Sequence, residues 1–169
     1  SMDGRPREHA IHIALLSAET LNWEVFLKSH LDIMNDRFDR MSDGSWAWAG
    51  RKTYIKELEE LNINVTDLLL GIALRVENPA HNHYFGSIQR LGRAIAESKN
   101  KEEFESEMLS MVEDSTLDNF NRVMTYFLFL NYANSLPESA DRNKSKERLK
   151  HSVEKFPDHL KNKIDWTEK

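Results

Sequence analysis

Residues 117–136 read LDNFNRVMTYFLFLNYANSL, and no other segment limits so sharply how this chain can fold. From Val123 to Leu130 the side chains are bulky and apolar at nearly every position, so no polar face is left to meet water. A helix with one apolar stripe lies on a surface, whereas one apolar all round has to be enclosed. The run falls far short of the roughly 20 residues needed to cross a bilayer. It therefore reads as a central helix wrapped by other helices, and no membrane span is expected.

The rest of the chain has to supply that wrapping. At 169 residues and 40% hydrophobic content it is long enough for one such core and too short for two independent ones. Segments of helix-like period are separated by RMSDGS at 40–45, LNINVTD at 61–67, ENPA at 77–80, ESKNKE at 97–102, EDSTLD at 113–118 and NSLPES at 134–139. No strand-like alternation of useful length interrupts them.

An apolar stripe runs through Ile13, Leu16, Trp23, Leu27, Leu31, Met34, Phe38 and Met41, broken only where Thr20 stands between Leu16 and Trp23. That spacing predicts one long N-terminal helix, or two with a bend near Thr20. Tyr54, Leu58 and Leu61 predict a short second helix, and Thr66 with Asp67 can cap a third carrying Leu69, Leu70 and Leu74. Asn78 as N-cap and Pro79 as first residue open a fourth, with Tyr84, Ile88, Leu91 and Ile95 inward. Phe104, Met108 and Met111 or Val112 mark the inner face of the helix before the central one.

Fold class follows: an all-α, single-domain bundle of about six to eight helices, with a long N-terminal helix and a buried apolar helix near 117–134. Residues 3–136 form its core. Residues 137–169 are a charged helical segment packed loosely on the same domain, because Leu149, Val153 and Phe156 are nearly all the apolar content of its helix.

Charge and composition remove several functions. A net charge of -5 gives no broad attraction to a phosphate backbone, so no nucleic-acid partner is expected. Without cysteine there is no disulfide, thiolate nucleophile or Cys-rich zinc site. The chain has no G-x-S-x-G, H-E-x-x-H or P-loop pattern, so no catalytic residue and no cofactor is assigned.

His81 and His83 flank Asn82 in PAHNHYFGSIQR. Residues two apart on a helix point about 200° apart, so in a helix opening at Pro79 they cannot share an ion. His81 falls on the apolar stripe and His83 on the side of Ser87 and Arg90. Free backbone N–H groups at 80–82 beside an imidazole could hold an anion or orient a substrate. Glu8, His9 and His12 have i, i+3 and i, i+4 spacing compatible with a metal, but Glu19 and His30 stand too far along the axis to complete a site.

The stretch SDGSWAWAGRKTY at 42–54 is the most unusual in composition. Trp46 and Trp48 point to opposite sides of helical or extended backbone alike, so one core face cannot easily take both. Arg51 and Tyr54 beside them complete a mixture enriched in binding hot spots. The reading adopted is an all-helical protein-interaction module, such as a regulator, adaptor, inhibitor or immunity-type binder. It uses the 42–54 loop as anchor, has a protein partner and leaves homo-oligomerisation open. Two alternatives stand beside it: a metal-dependent or histidine acid/base hydrolase at His81, and a small-molecule-binding bundle with its ligand between the aromatic helix and its neighbours.

Overall fold

A computed structural model describes residues 13, 16–31, 54–62, 65–74 and 83–164, and these are helices joined by turns. The N-terminal helices are α1, described over 16–19, and α2, described over 23–31. After them come α3 (Tyr54–Glu60), α4 (Thr66–Leu74), α5 (His83–Glu97), α6 (Lys101–Glu113), α7 (Asn119–Asn134), α8 (Ser139–Val153) and α9 (Asp158–Ile164). The all-α bundle is as expected, with no strand among the described residues. Among the described residues there are nine helices where about six to eight were expected, because the first stretch splits in two and a short helix follows α8.

The single long N-terminal helix does not form. Leu21 takes a left-handed φ of 58° and its N–H donates to Ala18 O at 3.1 Å, while the Asn22 N–H donates to Ser17 O at 2.8 Å. This pair of bonds is a Schellman stop. The Thr20 hydroxyl assists by donating to Leu16 O and Ser17 O. Asn22 Oδ1 then accepts the Val25 N–H at 3.4 Å and caps the start of α2. The turn resets the helical phase, so Leu16 is left 48% exposed while Phe26, Leu27 and His30 are buried. The His30 ring lies between those of Phe26 and Phe120, 6.4 and 5.7 Å away between centroids.

Helix α7 occupies the centre, packed against α4, α5, α6, α8 and α9. The Asp118 carboxylate, itself buried, accepts the Asn121 N–H at 2.7 Å and fixes where α7 begins. Phe120, Val123, Met124, Phe127, Phe129 and Tyr132 are all nearly fully enclosed, as the apolar run requires. Around them Ile88, Leu91, Ile95, Phe104, Met108, Met111 and Val112 face inward as their spacing predicts. At Gly92 of α5 a Cβ would lie 2.8 Å from Asn131 Cβ and 2.9 Å from the Tyr132 nitrogen. Glycine is what lets the two helices approach so closely.

Two details of the N-terminal half differ from expectation. Leu61 points outward, 70% exposed, because α3 stops at Glu60 and Asn62 turns left-handed with φ 61°; Ile55 fills the inner position instead. Thr66 opens α4 without capping it, and its hydroxyl donates to Glu59 Oε1 at 2.6 Å.

The charged C-terminal helix is not loosely held. Glu105 of α6 accepts Tyr132 Oη at 2.5 Å, Ser145 Oγ at 2.9 Å and the Arg148 guanidinium. Two turns on, Glu113 accepts Ser152 Oγ at 3.2 Å and Lys155 Nζ at 3.0 Å. Each carboxylate thus receives a serine and the cation three residues after it. Seven residues separate the two serines, two helical turns, so both lie along one side of α8, while Lys155 follows in the turn just after it. Leu149 and Phe156, also seven apart, pack into the core beside them.

Candidate functional site

The site residues read from sequence lie almost wholly beyond the described part of the molecule. Trp46, Trp48, Arg51, His81, Glu8, His9 and His12 are outside the described residues, and Tyr54 and His83 open α3 and α5 with side chains that are likewise outside them. Among the described residues no group of three His, Asp or Glu side chains could hold a metal ion, and no helix is long and apolar enough to cross a membrane.

A cleft of about 540 Å³ opens where the ends of four helices meet. Its first wall is the α3–α4 turn, with Glu59, Asn62, Thr66 and Asp67. Asn119, the first residue of α7, also lines it. Its second wall is α9, with His159, Leu160, Asn162 and Lys163. The turn geometry places the first wall: α3 must end for Asn62 to turn the chain, and the turn sets Glu59 against Thr66.

Glu59 is the fixed point of this arrangement. Besides the Thr66 hydroxyl it accepts the Asn119 backbone N–H, at 3.1 Å on Oε1 and 3.3 Å on Oε2. That N–H is one of the donors a helix cannot satisfy from its own backbone. A glutamate of α3 therefore completes the N-terminus of α7, where the helix dipole also favours a negative charge.

The Arg122 guanidinium is buried on the next turn of α7. Its Nε donates to Val112 O at 3.0 Å, and its carbon lies 4.9 Å from the centroid of the Phe156 ring. Burial pulls its pKa below the usual arginine value, opposed by the charges of Asp114 and Glu59. Across the cleft, Lys163 Nζ and Asp67 Oδ1 are 2.8 Å apart and tie α9 to α4.

The charges are segregated: the two carboxylates belong to the α3–α4 wall and the ammonium and imidazole to α9. Leu160 is the one aliphatic side chain of the lining.

The Glu105 cluster has a different character. Burial pushes its carboxyl pKa up, but the hydrogen bonds from Tyr132, Arg148 and Ser145 outweigh it and hold the group below the usual carboxylate range. Burial and the same glutamate push the Tyr132 phenol well above its ordinary value. Tyr132 and Ser145, both buried, and Arg148, reaching in from the surface, all donate to Glu105, so the cluster fastens α6, α7 and α8 together.

Glu59, Asn119, His159 and Lys163 carry no sequence signal that would bring them together, since 60 residues separate Glu59 from Asn119. The clamp on α8 does leave one: SKERL at 145–149 and SVEKF at 152–156 share the pattern serine, any residue, glutamate, cation, large apolar. Comparison with known proteins adds nothing to this geometry, for no family model matches the chain and no curated protein or solved structure is similar to it.

Proposed function

We propose that this chain acts by binding another protein, through a surface built from its first 74 residues and anchored by the 42–54 loop with Trp46, Trp48, Arg51 and Tyr54. The observation that supports the reading is where apolar side chains stay in water. Leu16, Leu21, Val25, Leu61 and Leu68 are 39% to 70% exposed, and every large hydrophobic side chain exposed among the described residues is one of these five. The helices from α5 onward bury theirs. Helix α4, TDLLLGIAL, is apolar on its outer side as well as its inner one, with Leu69, Leu70, Ala73 and Leu74 buried and Leu68 left outside. A helix of that kind is suited to being covered on both sides, and covering it recovers about 25 cal/mol for each Å² of apolar surface removed from water.

The test is affinity capture with purified protein as bait, comparing wild type with Leu61→Ser/Leu68→Ser and with Trp46→Ala/Trp48→Ala, each checked for unchanged melting. A protein retained by wild type and lost by both variants supports one surface spanning the loop and α4. Identical recovery by all three baits sinks the reading.

A further inference from the structure

We propose that the cleft between the α3–α4 turn and α9 binds a small zwitterion of the amino-acid class, one whose side chain is itself polar. The inference goes beyond the interaction surface and stands without it. Its volume of about 540 Å³ lies within the roughly 300–1,000 Å³ of small-molecule pockets.

The chemistry is set by the walls. Glu59 and Asp67 on one side attract an ammonium, while Lys163 and His159 on the other receive a carboxylate. An amino acid carries both charges on one carbon and can face both walls at once. Glu59 is held in place before any ligand arrives, because Thr66 and the Asn119 N–H fix its carboxylate and the buried charge of Arg122 acts on it from α7. Asp67 holds the Lys163 ammonium at 2.8 Å, so that charge is in place on the α9 wall before a carboxylate arrives. Leu160 is the one aliphatic residue among those that line the cleft, and Asn62 and Asn162 bring amides that a polar side chain can meet.

Calorimetric titration of the full chain with L-glutamine, L-serine, L-asparagine and L-lysine in turn tests this. At least one should bind saturably, and its N-acetyl and carboxamide forms, each lacking one charge, should bind at least about tenfold more weakly. Lys163→Met should weaken binding by a similar factor. His159→Ala, at an exposed position, serves if Lys163→Met lowers the melting temperature. The proposal falls if none of the four binds up to about 10 mM. It falls equally if the singly charged forms bind as well as the parent, or if both variants, melting normally, bind unchanged.

Discussion

At the scale of a residue, Glu105 shows how much one carboxylate can organise. Three donors from two other helices converge on it, and the residue is only 7% exposed. Glu105→Gln removes the charge that those donors were arranged around and should cost about 1–3 kcal/mol by urea denaturation at neutral pH. The pH dependence has a definite sign. The folded pKa lies below the ordinary 4.5, so the stabilisation is complete above the unfolded carboxyl range and fades as acid protonates the group. Glu113 shifts the same way, chiefly through the Lys155 hydrogen bond. The stability gap between wild type and Glu105→Gln should therefore shrink as pH falls through 4.5, and a gap that widened instead would contradict the assignment. None of this was legible in KEEFESEM, where Glu105 looks like its neighbours Glu102 and Glu103.

At the scale of an element, two helical glycines make opposite demands. Gly92 sits where α5 meets the α7 backbone, and Gly92→Ala drives a methyl to 2.8 Å from Asn131 Cβ. Overpacking of that kind should lower stability by about 1–3 kcal/mol. Gly71 of α4 has nothing within 4 Å of where a Cβ would stand. Gly71→Ala should raise stability by about 0.5–1 kcal/mol, since alanine loses less backbone freedom on folding. Thermal melts of the two variants check both signs. Elements were also what the sequence showed best. The stripes of α5 and α6 and the all-round burial of α7 follow directly from periodicity, because each depends on neighbours within one helix. The break at Leu21 was half visible, as the interruption at Thr20. What periodicity could not show is that Asn22 would both end α1 and begin α2, or that the stop at Glu60 would turn Leu61 outward.

At the scale of the whole molecule, the chain divides by how it treats apolar surface. Helices α5 to α8 enclose theirs around α7, while α1, α2 and α4 leave part of theirs in water. Amide hydrogen exchange should follow that division, slowest along α7 and fastest in α1 and α2, because local opening is easiest where few buried contacts hold it. Equal protection in α2 and α7 would show that the N-terminal helices are bound more firmly than their burial implies. The cleft belongs to this scale too, and that is why no motif announced it. It draws on four helices, and its acidic and basic walls come from segments about a hundred residues apart in the chain. The role of Glu59 has a further consequence, for synthesis. The residue that completes the N-terminus of α7 is made about sixty residues before that helix. When the central helix leaves the ribosome this acceptor for its first N–H has already emerged, so the most aromatic segment of the protein need not wait for later sequence to finish its first turn.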